Sequence, residues 1–254
     1  MASYTRMVFE SKGSDLVALE APIPELKDGE ILVKVEACGV CHSDVFTKAC
    51  AYGNTYPRAP GHEVIGVVEK VGPNAKRFSV GDRVGRGWHG SHCFSCDSCL
   101  RGRFVNCSSG SISGISNDGG YGTHMVAPWE SLVKVPDGMS SEEAAPLLCA
   151  GVTMFNSLRN AGAKPPALVA VQGVGGLGHL GIQFAAKMGY KVSVGRMERE
   201  EGEEEGTGQR KEERLRGCFL SPCVGECMCV RGTACKGWEL FVRRCDADHL
   251  SRFN

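Results

Sequence analysis

The sequence predicts a mixed α/β protein: an irregular β-barrel over residues 1–150, the first part of a doubly wound parallel α/β domain over 151–194, and a tail of different texture over 195–254. Three observations lead there. Short alternating segments punctuated by glycine fill the first half, as in small all-β domains. One apolar strand, glycine turn, helix and strand follow in order. After Val194 the apolar pattern stops, and the chain reads GRMEREEGEEEGTGQRKEERLRG.

Taken in order, residues 31–37 alternate, with Ile31, Val33, Val35 and Ala37 on one face and Lys34 and Glu36 on the other, which is a half-buried strand. Segments 64–71 and 82–84, set off by Gly66, Gly72 and Gly81, read as further short strands of the barrel. Ser140 and Glu143 form a capping box, and 144–148 continue as a short helix. Residues 167–172 are an apolar strand, 177–188 a helix ended by Gly189, and 190–194 a second strand. The charged run after Val194 reads as solvated or disordered. Residues 218–254 hold six cysteines and no convincing element, so no second core is expected there.

Composition bounds the function without defining it. The formal net charge is zero, so no basic field favours nucleic acid or an anionic membrane surface. The N-terminal residues MASYTRMVFESKG carry Arg6, Glu10 and Lys12 where a signal peptide would be apolar, and the expected location is cytoplasmic. Residues 167–186 are apolar enough to suggest a membrane span, but five glycines and His179 interrupt them, and no membrane partner is expected. In a cytoplasmic chain the 14 cysteines are expected to be reduced thiols, several of them metal ligands.

Cys93, Cys96, Cys99 and Cys107 follow one another at intervals of three, three and eight. Two-residue gaps let the backbone curl round an ion, and a longer gap closes the cage; this spacing points to structural zinc, with a disulfide knot as the alternative. Cys41 in GVCHSD, His62 and Glu63 in PGHE, and Cys149 in PLLCAG are far apart in sequence. Each alone would read as an ordinary core residue.

Together, GVCHSD, GHE, the four-cysteine segment and GVGGLG, in this order from the N-terminus to Val194, resemble the zinc-dependent medium-chain alcohol dehydrogenases of the microbial kind. The resemblance implies a GroES-like catalytic domain followed by a Rossmann-type domain. It makes Cys41, His62 and Cys149 the ligands of a catalytic zinc, beside the structural zinc of Cys93, Cys96, Cys99 and Cys107. An alcohol would then be interconverted with an aldehyde or ketone by hydride transfer to or from NAD or NADP. Glu63 resembles the acidic neighbour of that metal; an exposed strand-edge carboxylate is the plainer reading. Asp44 resembles the carboxylate that holds the free ring N–H of His62, with a turn-capping aspartate as its alternative. Ser43 takes the place of the proton-relay hydroxyl. Phe46 stands where many members have the relay histidine, so proton exit needs another route. His42 resembles a group leaning on the cofactor pyrophosphate, or is a solvent-exposed histidine.

Gly173, Gly175, Gly176 and Gly178 lie between a strand and a helix, where a dinucleotide pyrophosphate would sit; a glycine-rich loop without ligand is the alternative. Arg196, just past the second strand, favours NADP over NAD. A full domain of this kind needs about six strands with crossovers of about 30 residues each, more than the residues after Val194 supply. The expectation is a truncated or diverted chain, its tail read from retained intron or a shifted frame, with activity lost in consequence. A non-catalytic zinc-binding fragment is the rival reading, and a further metal site at Cys223, Cys227, Cys229 and Cys235 a lesser one. A cytosolic reductase of conjugated carbonyls is a third, against which Cys41, His62 and Cys149 argue. The expected partner is a small-molecule alcohol or aldehyde, and a homo-oligomer is open.

Overall fold

The computed structural model describes residues 3–195 and, as backbone, two later strands at Glu226–Gly232 and Trp238–Arg244. It divides into two units, Met1–Cys149 and Ala150–Asn254.

The first unit begins with an antiparallel pair, β1 (Ser3–Phe9) and β2 (Leu16–Pro22). There follow β3 (Glu30–Cys38), helix α1 (Asp44–Lys48), β4 (Val64–Val71), β5 (Arg83–Arg86) and β6 (His89–Ser91). Then come α2 (Asp97–Leu100), β7 (Ser111–Ile112), β8 (His124–Pro128), β9 (Leu132–Lys134) and α3 (Ser141–Ala144). Five of these strands make an antiparallel sheet in the order β8-β3-β4-β5-β9, and β6 pairs with β7. Alternation in β3 buries Ile31 and Val33 and leaves Lys34 and Glu36 exposed. Ile31, Val33, Val64, Val68, Phe78, Val84, Met125, Ala127 and Leu132 form the core. Irregular register in the β3–β4 pair, at Leu32/Val33 and Val35/Ala37, bends the sheet as bulges do.

The strand expected at 82–84 is β5, shifted to Arg83–Arg86, because Gly81 and Asp82 close the turn before it. The capping box is present: the Ser140 hydroxyl accepts from Glu143 N, and the Glu143 carboxylate accepts from Ser140 N. The helix it starts tightens to a 3₁₀ turn at Ala145–Leu148, where Pro146 cannot donate. Arg86 is fully buried. Its guanidinium donates to Asn117 Oδ1 at 2.9 Å and Gly90 O at 3.2 Å, and so ties β5 to β6 and to the loop after β7.

The second unit holds α4 (Ala150–Asn160), β10 (Leu168–Gln172), α5 (Gly176–Lys187), β11 (Lys191–Gly195), β12 (Glu226–Gly232) and β13 (Trp238–Arg244). β10 and β11 run parallel with α5 as their crossover, the expected strand–helix–strand unit. Its core is Leu158, Ala161, Ala163, Val169, Val171, Ala185 and Tyr190. The helix α5 ends at Gly189, whose φ of 87° is in the left-handed region favoured at helix C-termini.

The expectation of a tail without secondary structure is corrected here. β12 lies parallel to β10, with Cys227 opposite Leu168, and β13 pairs antiparallel with β12, giving a sheet of order β11-β10-β12-β13. Charged residues shorten the apolar stretch of both strands, so ECMCVRG and WELFVRR lack the long aliphatic run that marks a buried parallel strand. The charged run and Arg196 lie outside the described residues, as do Cys223 and Cys235 of the lesser metal reading; Cys227 and Cys229 fall on β12. Among the described residues no helix is long and apolar enough to cross a membrane.

Candidate metal centres

Two groups of metal-ligating side chains converge in the first unit, Cys93 with Cys96, Cys99 and Cys107, and Cys41 with His62, Glu63 and Cys149. In each, one ligand atom per residue lies within 4.8 Å of all the others.

The four-cysteine group is built locally. Cys96 caps α2, Cys99 lies within it, and Cys107 ends the 3₁₀ turn Phe104–Asn106. Phe94, at a φ of 60°, reverses the chain so that Cys93 and Cys96 face the same point. The Sγ atoms of Cys93 and Cys107 are 3.6 Å apart, and those of Cys96 and Cys107 3.9 Å. A disulfide needs about 2.05 Å. A zinc–sulfur bond of about 2.3 Å gives a tetrahedron with edges of about 3.8 Å, and the observed spacing matches that figure. Backbone amides also turn toward sulfur: Cys96 N donates to Cys93 Sγ at 3.3 Å, and Ser109 N to Cys107 Sγ at 3.4 Å. Hydrogen bonds from the Ser95 hydroxyl and amide, then the Cys96 amide, lower the Cys93 thiol to about 5, so it is a thiolate at neutral pH. Burial pushes Cys99 up to about 12 in the absence of metal. Phe94 stacks on Trp129 with ring centres 5.7 Å apart, which anchors the lobe on the barrel.

The second group is assembled from three distant places. Cys41 sits between β3 and α1, His62 and Glu63 immediately precede β4, and Cys149 follows the 3₁₀ turn after α3. Cys41 Sγ and Cys149 Sγ are 3.8 Å apart, again the edge of a zinc-sized tetrahedron. Sharing one hydrogen bond, the pair splits: Cys41 is pulled below the ordinary thiol range and Cys149 pushed above it. His62 is 2% exposed, and its Nε2 is buried without a hydrogen-bond partner. A buried nitrogen with no partner beside two sulfurs is a costly arrangement unless something fills the gap. The donor set of two thiols and an imidazole nitrogen fits zinc.

Asp44 organises this group. Its Oδ1 accepts from Gly61 N at 3.2 Å and faces His62 Nδ1 at 3.3 Å; its Oδ2 accepts from Cys41 N at 3.0 Å and from the Tyr121 hydroxyl at 2.9 Å. Asp44 thus faces the His62 ring and also accepts from the Cys41 amide in the turn before α1. Burial opposes ionisation of Asp44, but the hydrogen bonds from His62 and Cys41 prevail and hold its carboxyl below the usual range. Burial likewise opposes charge on His62, and the Asp44 and Cys41 hydrogen bonds outweigh it, raising the imidazole to about 9. Gly61, at a φ of 102°, is needed because a Cβ there would lie 2.5 Å from the Tyr121 ring and 2.8 Å from Cys38 Sγ.

Glu63 is 5% exposed, so the strand-edge alternative is overturned: its carboxylate is turned inward toward Cys149. Burial first, and then the Cys41 charge, raise its carboxyl above the usual range. Ser43 is half-buried at the start of α1, two residues after Cys41, whereas His42 is exposed. Phe46 meets Tyr52 edge-on at 5.7 Å, Tyr52 meets Trp88 at 6.5 Å, and Trp88 meets the His62 ring at 4.9 Å. Tyr121 and the edge-on packing of Tyr52 between Phe46 and Trp88 have no counterpart in the sequence analysis; the GGYG around Tyr121 is the available signal.

In the second unit, Gly173 at a φ of 84° turns the chain after β10, and Gly176 begins α5. A Cβ at Gly178 would run into Gly173 O, whereas Gly175 and Gly176 face open space. The helix N-terminus is thus left accessible to an anion.

These features define an enzyme-type β domain with two metal-ligating clusters, followed in the chain by a parallel α/β unit. Residues 27–137 match the alcohol dehydrogenase GroES-like domain. The alcohol dehydrogenase patD of Aspergillus clavatus is 45% identical over 190 residues, covering 75% of this chain and 49% of that protein. A thermostable alcohol dehydrogenase from Pyrobaculum aerophilum, with cobalt and zinc bound, superposes with a TM-score of 0.70 at 32% identity, over 76% of this chain and 59% of that one. A CAD from Helicobacter pylori complexed with NADP(H) superposes with a TM-score of 0.69 at 28% identity, over 76% and 58%. The chain belongs to the zinc-dependent medium-chain alcohol dehydrogenase family. It spans about half the length of the curated relatives it matches.

Proposed function

We propose that this protein is a zinc-dependent oxidoreductase interconverting a small alcohol and its aldehyde or ketone with NAD or NADP, and that it holds one catalytic and one structural zinc. The observation that carries the reading is the meeting of Cys41, His62 and Cys149 around the unpartnered His62 Nε2. Zinc held there supplies a Lewis acid for the substrate oxygen, and the nicotinamide accepts or donates the hydride.

The residues of the chain prepare that chemistry. Cys41, Cys149 and His62 would hold the ion as two thiolates and a neutral imidazole, which would cancel its charge. Asp44 accepts a hydrogen bond from His62 Nδ1–H and fixes the tautomer in which Nε2 carries a free lone pair. Ser43 provides the hydroxyl that takes the substrate proton; Phe46 cannot pass it onward, so the proton leaves toward solvent near the exposed His42. Glu63, buried beside Cys149, keeps a carboxylate within reach of the metal position. The open N-terminus of α5 at Gly175 and Gly176 would receive a dinucleotide pyrophosphate, Gly173 turns the chain into it, Gly178 lets strand and helix close up, and Arg196 is expected to favour a 2′-phosphate.

A second reading is a zinc-binding protein without turnover, since both ligand clusters lie wholly within the first unit. Purified full-length chain separates the two. Metal analysis should find zinc at both clusters, and a panel of primary alcohols and aldehydes with NAD or NADP should show nicotinamide absorbance changes that Cys149→Ser abolishes together with one zinc. Zinc at the four-cysteine lobe alone, with no turnover, would establish the second reading.

A further inference from the structure

We infer that Tyr121 is a positioning residue for the Cys41–His62–Cys149 cluster, its phenol O–H steering the Asp44 carboxylate so that His62 Nε2 is aimed at the two sulfurs. The inference rests on the reading of that cluster as a zinc site.

All acceptor positions of Asp44 are used, by Gly61 N, His62 Nδ1, Cys41 N and the Tyr121 hydroxyl. Three of these four donors lie in the two loops that carry ligands, and would drift with them. Tyr121 alone stands outside. Its own backbone is pinned at both ends: Tyr121 N donates to Pro60 O at 3.1 Å, and Tyr121 O accepts from Met7 N in β1 at 2.7 Å. Its ring closes over Gly61, where no Cβ intervenes. The phenol is therefore a donor at a fixed place, and the carboxylate is oriented against it. Without the hydroxyl, Oδ2 keeps only Cys41 N. The carboxylate can then turn about its terminal torsion, which is broad for an aspartate, and the His62 ring turns with it. Partners of this kind typically change metal affinity by about 10–100-fold.

Tyr121→Phe tests the idea in the full chain, since it keeps the ring over Gly61 and removes only the donor. Zinc affinity is measured by chelator competition, and the cobalt-loaded protein by visible absorption, with Cys149→Ser as the reference that isolates this cluster from the four-cysteine lobe. The expected result is zinc bound about 10–100-fold more weakly at the cluster, unchanged affinity at the lobe, and a shifted cobalt band. In an Asp44→Asn background the same change should cost far less zinc affinity, because the carboxylate that the phenol steers is gone. Wild-type affinity and an unshifted cobalt band would overturn the inference. So would equal losses in both backgrounds, the mark of simple ring packing, and this comparison stays readable even if Tyr121→Phe loosens the fold. A wild-type chain that takes zinc only at the lobe overturns the function proposed above as well, and is recognised because Cys149→Ser then leaves the zinc content unchanged.

Discussion

Replacing Asp44 by asparagine changes one atom and tests whether the carboxylate is the hub of the Cys41–His62–Cys149 cluster. Asparagine offers one acceptor oxygen and one donor NH₂ where aspartate offers two acceptors. Four donors converge on Asp44, so the amide must point its NH₂ at two of them. The better orientation turns the oxygen to Gly61 N and His62 Nδ1 and the NH₂ to Cys41 N and Tyr121. The phenol can rotate and accept, but the Cys41 amide cannot, and its N–H is orphaned in a buried place. An orphaned buried donor costs about 1–3 kcal/mol, and weakening the remaining charge-assisted bonds about 1 kcal/mol more, which sums to about 2–4 kcal/mol. Urea unfolding of the chelator-treated protein, followed by the fluorescence of tryptophans that include Trp88 against His62, reads the loss as a drop in midpoint at constant slope. A change below about 1 kcal/mol, with zinc affinity unaltered, would refute the hub.

Three further outcomes are expected. Cys107→Ser should release zinc from the lobe and lower the thermal midpoint of the zinc-loaded protein, because Cys107 closes the cage; a midpoint equal to wild type in the presence of zinc would contradict this. Gly61→Ala should destabilise the first unit by about 2–5 kcal/mol, from left-handed backbone strain and overpacking against Tyr121 and Cys38, with an unchanged urea midpoint as the contrary result. In metal-stripped protein, iodoacetamide at pH 6 should label Cys93, whose thiol is lowered to about 5, while Cys38, held at about 12 by burial, should stay unlabelled even at pH 8; peptide mapping that finds the reverse order would disprove the assigned environments.

What could be read in the chain follows from distance along it. The four-cysteine lobe is contained in 93–107, the capping box in Ser140 to Glu143, and the strand–helix–strand unit in 167–195, so spacing and period alone mark them. The Cys41, His62 and Cys149 set could be joined only through the family resemblance, because nothing local links residues on separate loops. Glu63 shows the limit: its neighbours read equally well as a surface strand edge, and only the packing of Gly39 over its carboxylate shows it buried. Helix α4 went unread because exposed Val152 and Phe155 blur the buried stripe of Gly151, Met154 and Leu158. β12 and β13 were hidden for a different reason, since pairing with β10 rather than aliphatic content defines them. Tyr121 is legible only from the structure, as its partner Asp44 lies 77 residues away.

The two clusters differ in how much chain must be gathered to build them. Cys93 and Cys107 are 14 residues apart, whereas Cys41 and Cys149 are separated by 108. Loop-closure entropy grows as (3/2)RT ln n, so bringing the second pair together costs about 1.8 kcal/mol more before any ligand field is gained. The lobe can therefore capture an ion from the unfolded or nascent chain, on the timescale of short-loop closure. The Cys41 cluster exists only after β3, β4 and α3 have docked. On the proposed two-zinc reading, loading would be ordered by topology: under metal limitation the lobe would fill first, leaving a folded protein with its lobe occupied and its second centre still waiting for an ion.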